Sequence, residues 1–289
     1  MPEFPNLKLP TMGGKQLWTD YRWYHGWKLQ KNWVTGHWRL IDPSNIRHAW
    51  GSRESCIKVL DNIKSADATP PHDQVILLLH GLFRSSRSMA GMGKYLSESG
   101  LGEPILVEYA STRASITDHA QAIREIIENL PGKPKINVVA HSMGNIVFRH
   151  AVGDWQREDP SRALTRINRM VMLGPPNQGA HIARHLGKLK LFEIIAGKGG
   201  MELGPAWAQL EDKLATPPFP FAIVAGRLDD APITNPLVEG ASDFVVGIEE
   251  ARLPGSTEML EVPVVHSFLM DDPRVQAATY NFLVGKPMQ

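Results

Sequence analysis

Only one cysteine, Cys56, stands in the 289 residues. An internal disulfide is therefore excluded, and no Cys/His spacing suited to zinc is present, which removes a disulfide-stapled secreted scaffold and a structural metal site together. Charge of one sign is equally scarce: 31 Lys and Arg stand against 30 Asp and Glu, a formal net of +1. Nucleic acid as the main partner would call for a concentrated basic face, and there is none. No apolar run approaches the ~20 residues of a membrane span. The N-terminus, Met-Pro-Glu-Phe-Pro-Asn-Leu-Lys, lacks a basic start followed by an apolar core, so no signal peptide is expected and a cytoplasmic location is the reading. Internal repeats and low-complexity tracts are also missing. What remains is a chain with 43% hydrophobic residues, long enough for one large α/β domain or two small ones.

The most informative stretch covers residues 135–151, Lys-Ile-Asn-Val-Val-Ala-His-Ser-Met-Gly-Asn-Ile-Val-Phe-Arg-His-Ala. Residues 136–140 are a β-branched and apolar run, which predicts a strand buried on both faces. Val147, Phe148, Ala151, Val152 and Trp155 then recur at helical spacing. Strand, sharp turn carrying Ser142, helix: this is the context of a nucleophile elbow. The small residues Ala140 and Gly144 let the turn bend and the helix approach the strand. The backbone N–H of Met143, at the positive end of that helix, is placed to meet a developing oxyanion. The usual pattern has Gly at both flanking positions, and Ala140 departs from it by one methyl group.

Six of the eight tryptophans lie in the first 50 residues: Trp18, Trp23, Trp27, Trp33, Trp38 and Trp50. They hold no single period, and Gly26 and Gly36 predict turns between short aromatic strands. Residues 1–46 are thus expected to form an aromatic arm. It reads either as a membrane-interface or partner-binding surface, or, more simply, as an arm packed over the body. Residues 47–289 form the main domain. Residues 47–64 predict an amphipathic helix with Cys56, Val59, Leu60 and Ile63 on one face. Residues 75–79 form a buried strand ended by His80-Gly81, where the N–H of Leu82 (or Phe83) can serve as a second oxyanion donor. The side chain of His80 reads as structural. Further strands are expected at 105–109, 167–173, 221–225 and 260–265, with helices at 118–130 and after the cap Asp272-Pro273. Residues 180–220 are weakly patterned and occupy the place of a cap or lid. Strands alternating with helices imply an α/β fold with a mostly parallel central sheet flanked by helices.

A serine hydroxyl needs an adjacent base. Among the histidines after the elbow, His150 lies in its helix and His181 and His185 in the cap segment. His266 sits between the last strand and the last helix, where the general base is required. A carboxylate must hold its tautomer. Two sites compete on the residues alone: Asp229 and Asp230, close after the strand 221–225, and Asp243 further on.

With these residues assembled, the chain resembles the α/β-hydrolase superfamily and, within it, small bacterial lipases and esterases. The resemblance begins near Arg47. Ala140-His-Ser-Met-Gly is similar to the elbow of Bacillus-type lipases, Ala included. Leu173-Gly-Pro-Pro-Asn-Gln-Gly resembles the turn after the next strand, and His266-Ser-Phe-Leu-Met the histidine loop. Ser242-Asp-Phe-Val-Val with Ala251-Arg-Leu-Pro-Gly resembles the catalytic-acid loop. The resemblance therefore implies Asp243 as the acid, with Asp229 or Asp230 as the alternative. It implies ester hydrolysis by Ser142, His266 and Asp243, with Leu82 and Met143 amides binding the oxyanion at on the order of 3 kcal/mol per donor. No metal or organic cofactor is needed, and the expected partner is a small-molecule ester or lipid. An acyltransferase or thioesterase would use the same triad. A non-catalytic lipid- or protein-binding module is the alternative from another class.

Overall fold

The computed structural model describes residues 9–10, 16–179, 198, 200–203, 206–228 and 241–289. Residues within 9–10 and 16–51 build an antiparallel sheet from β1 (Leu9–Pro10), β2 (Trp18–Tyr24), β3 (Trp27–Asn32), β4 (Trp38–Ile41) and β5 (Ile46–Gly51), in the order β1-β5-β4-β3-β2. The turn between β2 and β3 holds His25 at φ 43° and Gly26 at φ 82°, the left-handed pair that matches the twist of a tight hairpin. The arm is thus a sheet of short aromatic strands, as the turns expected at Gly26 and Gly36 imply. One boundary moves. Residues 46–51 are strand rather than the start of a helix, and helix α1 (Arg53–Ala66) begins only after Ser52, whose hydroxyl accepts from the Ser55 amide. Cys56 and Leu60 of α1 pack with Tyr24, Leu29, Leu40 and Ala49 in a small core of their own.

The main body carries β6 (Gln74–Leu79), α2 (Ala90–Glu98), β7 (Glu103–Val107), α3 (Ile116–Glu128), β8 (Lys135–His141), α4 (Met143–Arg157) and β9 (Ile167–Leu173). It continues with α5 (Trp207–Glu211), β10 (Phe221–Gly226), α6 (Ile248–Ala251), β11 (Glu258–Val262) and α7 (Pro273–Leu283). Six strands pair in parallel in the order β11-β10-β9-β8-β6-β7. Alternate residues of β6 serve opposite faces. Val75, Leu77 and Leu79 join the cluster covered by α3 and α4, and Ile76 and Leu78 the cluster covered by α2 and α7. Burial on both faces explains the unbroken apolar runs. Helix α3 starts two residues before the sequence suggests, because Ser115 and Asp118 close a capping box. The last strand ends at Val262, ahead of Pro263, so His266 stands in a separate short turn, His266–Phe268. Register sets the site. Leu79 pairs with Ala140 and Ala140 with Met172, so β6, β8 and β9 end level along the C-terminal edge.

Side chains of the arm dock it onto the β7 edge of this sheet. The Asp20 amide donates to the Glu108 carbonyl (2.9 Å), and the Glu108 amide returns to Asp20 Oδ2 (2.9 Å). Lys28 Nζ donates to the Leu106 carbonyl (2.7 Å) and the Ala110 amide to Thr19 Oγ1 (3.1 Å). Arg22 and Arg53 both pair with Glu125 on α3. Trp23 joins the main core. Trp23 thus packs over the body, while Tyr24 packs in the small core with α1 and Tyr21 against Trp38. The first part of the expected cap, residues 180–197, lies outside the described residues. No helix among the described residues is long and apolar enough to cross a membrane.

Behind the β6 end sits a stack of His80, Tyr109 and His119, all buried. Neither ring nitrogen of His119 has a hydrogen-bond partner, and burial, helped by His80, lowers its pKa from 6.5 to about 3. The unfolded chain therefore binds the extra proton below pH 6.5. Stability from this group is complete above that value and is lost as pH falls, by about 2 kcal/mol at pH 5. His119→Phe keeps the ring and removes the proton site. Urea unfolding at pH 7 and pH 5 is expected to show the variant gaining about 2 kcal/mol on the wild type between the two. An unchanged difference at the two pH values would contradict this account.

Candidate active site

At the end of β8 the chain turns into α4 through Ser142, at φ 53° and ψ −124°, a backbone position strained for any residue with a Cβ. The turn is over-determined by its neighbours. The Ser142 amide donates to the Leu173 carbonyl (2.9 Å), and the Ser142 carbonyl accepts from the Asn145 amide and side chain (3.0 Å each). A Cβ on Gly144 would stand 2.9 Å from the His80 carbonyl oxygen, and one on Gly81 would stand 2.9 Å from Ser142 Cβ. Only glycine at both positions lets the β6 end, the elbow and α4 meet. The Met143 amide opens the helix and has no carbonyl to serve. The Leu82 amide, which follows Gly81, likewise makes no hydrogen bond among the described residues.

Asp243 is buried in the turn after β10, between the bridged residues Ser242 and Gly247. Its Oδ1 accepts from the amides of Val245 (3.0 Å) and Val246 (2.7 Å), while Oδ2 lies 2.7 Å from His266 Nδ1. The His266 amide also donates to the Asp243 carbonyl (3.1 Å). A carboxylate there fixes the proton on Nδ1 and leaves Nε2 as an acceptor. The structure brings Asp243 and His266 together and sets Ser142 beside them. No hydrogen bond joins the Ser142 hydroxyl to His266, a separation common before substrate binds. Two links hold them as neighbours. His141, adjoining Ser142, donates from Nε2 to the His266 carbonyl (3.0 Å), and the two rings lie 4.7 Å apart. Gly174, following Leu173, lies directly under the His266 ring, where a Cβ would come within 2.9 Å of it. Asp229 and Asp230, the competing acids, lie outside the described residues.

Three supporting groups escape sequence reading. Tyr109 stacks on His80 at 3.9 Å and donates its hydroxyl to the His80 carbonyl, bracing the residue before Gly81. Burial holds His80 near a pKa of 4, so it stays neutral, its Nδ1 facing the Gly81 carbonyl. Arg84 reaches from the Leu82 loop to the Ser267 carbonyl (3.1 Å), and its own carbonyl accepts from Gln16 of the arm (2.6 Å). The Pro-Pro-Asn turn after β9 is anchored by Asn177, which donates to the Ala251 carbonyl (2.7 Å) and accepts from Arg149 (3.1 Å). Each partner is distant in sequence, so no local pattern announces it.

Residues 45–205 match a family described as "Domain of unknown function (DUF7379)". That span covers more than half of the chain. The chain belongs to the DUF7379 family. The matched DUF7379 region contains Leu82, Ser142 and Met143 and ends before Asp243 and His266. No curated protein matches the sequence. Among solved structures, the mature form of the lipase BlEst2 of Bacillus licheniformis is similar at 18% identity and a TM-score of 0.54, over 70% of this chain and 87% of that one. Est1E of Butyrivibrio proteoclasticus, solved with ferulic acid, is similar at 16% identity and a TM-score of 0.50, over 77% and 92%. This DUF7379 chain therefore has the α/β-hydrolase fold, with an added N-terminal antiparallel sheet.

Proposed function

We propose that this protein hydrolyses carboxylic esters through an acyl-enzyme on Ser142. The observation that carries the reading is the buried Asp243–His266 pair beside a serine held at positive φ. His266 Nε2 takes the Ser142 proton as the oxygen attacks the acyl carbonyl. Asp243 keeps Nδ1 protonated and offsets the charge of the imidazolium. The negative oxygen of the tetrahedral intermediate is bound by the Leu82 and Met143 amides, at the positive end of α4. His266 returns the proton to the leaving alcohol, and water then releases the acid by the same route. Phe83 and Phe268 stand largely exposed on the loops that carry Leu82 and His266, which supports an apolar acyl or alcohol group.

A fluorophosphonate probe tests the nucleophile directly. The full chain is expected to take up one label, on the peptide carrying Ser142, and to turn over p-nitrophenyl esters with a rate that depends on acyl length. An unlabelled serine together with no ester turnover would remove the reading.

A further inference from the structure

A cavity of about 290 Å³ lies where the N-terminal sheet meets the loop after β6, close in size to the ~300–1,000 Å³ of small-ligand sites. Trp18, Lys28 and Arg39 line it from the sheet, Ser86 and Arg87 from the loop, and Glu108 from beyond β7. Arg39 is only 8% exposed. Its Nε donates to Gln30 Oε1 (2.7 Å), and its guanidinium lies 3.8 Å over the Trp18 ring. Its two terminal amino groups have neither a hydrogen-bond nor an ion-pair partner among the described residues. Burial lowers its pKa to about 10, opposed by the field of Asp20 and aided by that of Arg47. These amino groups open on the cavity, where no protein group among the described residues completes their hydrogen bonds. Arg87, exposed at the rim, also lacks an ion-pair partner among the described residues.

Two of the three acids around the cavity are already matched. Asp42 accepts from the Ser44 and Ile46 amides and from His48. Asp20 pairs with Lys28 and accepts from Gln30 and the Glu108 amide. Glu108 takes the Ser86 amide and hydroxyl on Oε2, its Oε1 is buried without a hydrogen-bond partner, and burial raises its carboxyl to about 7, towards the neutral form. What is left over is the pair of Arg39 amino groups and Glu108 Oε1, which in the neutral carboxyl can donate an O–H to an anion.

We propose that this cavity binds a small ligand through a carboxylate or phosphate group, gripped by the terminal amino groups of Arg39 against the Trp18 indole and closed over by Arg87. Guanidinium donors suit the oxygen pairs of both anions. The site is separate from Ser142, yet Ser86 and Arg87 belong to the loop that carries Leu82, so an occupant rests against that loop.

Titration calorimetry of the full chain with inorganic phosphate, and separately with succinate, tests this at constant ionic strength with sodium chloride as the blank. Saturable binding of at least one is expected, and which one binds tells a phosphate site from a carboxylate site. Arg39→Gln is expected to weaken it about tenfold or more, and Arg87→Glu by a similar factor. Ser142→Ala is expected to bind as the wild type does, which separates this cavity from the elbow. If Arg39→Gln does not fold, the exposed Arg87→Glu decides. Absence of saturable binding for both anions, or binding unchanged in Arg87→Glu, would overturn the proposal.

Discussion

Ser142→Ala is expected to lower kcat for ester hydrolysis about 10⁶-fold, the scale set when the nucleophile of a serine triad is removed. The residual rate would come from the Leu82 and Met143 amides and from substrate binding, which the substitution leaves in place. Stability is expected to change little. The Ser142 hydroxyl has no hydrogen-bond partner among the described residues, and the turn is held by the backbone of Ser142, Leu173 and Asn145. A p-nitrophenyl ester assay beside a thermal melt checks both halves. A variant that keeps its Tm and its activity would place the nucleophile elsewhere.

Asp243→Asn is expected to cost about 10⁴-fold in kcat with the fold intact. The reason lies in the two ends of this side chain. Oδ1 accepts from the Val245 and Val246 amides, and an asparagine keeps its carbonyl there, because its NH₂ would face two N–H donors. The NH₂ must then meet His266 Nδ1, 2.7 Å from the present Oδ2. Nδ1 is forced to accept, the ring proton moves to Nε2, and the nitrogen that should take the serine proton already carries one. Asp229→Asn is expected to leave kcat near the wild-type value, so the pair of variants measured side by side identifies the acid. A dead Asp229→Asn and an active Asp243→Asn would reverse the assignment.

The elbow was readable because its cause is local. A β-branched run, a small residue on each side of Ser142 and a helical repeat after it are adjacent in the chain, and the backbone they imply is the one found. His266 was readable for a related reason, since a histidine between a last strand and a capped last helix has one place to go. Asp243 was different. Loop length favoured Asp229 and Asp230, and only resemblance pointed to Asp243, because the 2.7 Å contact with His266 joins residues from different turns and leaves no period in either. The helix expected from residue 47 failed at its start. Arg47 to Gly51 pair with β4, and a short stretch of mixed polarity takes the state its neighbours across the sheet dictate. Arg84, His141 and Tyr109 act through groups far away in sequence, which composition cannot register.

The docking of the arm on β7 has a consequence for association. An outermost strand normally offers a ladder of unpaired amides and carbonyls, a template that another chain can extend. Here the Leu106 carbonyl is taken by an ammonium group, the Glu108 amide by a carboxylate and the Ala110 amide by a hydroxyl. The Glu108 carbonyl meets the Asp20 backbone amide, and the other groups are closed by side chains, which cannot themselves be propagated. A second molecule arriving at this end of the sheet meets Lys28, Asp20 and Thr19 in place of a strand, and the template stops with the molecule that owns it.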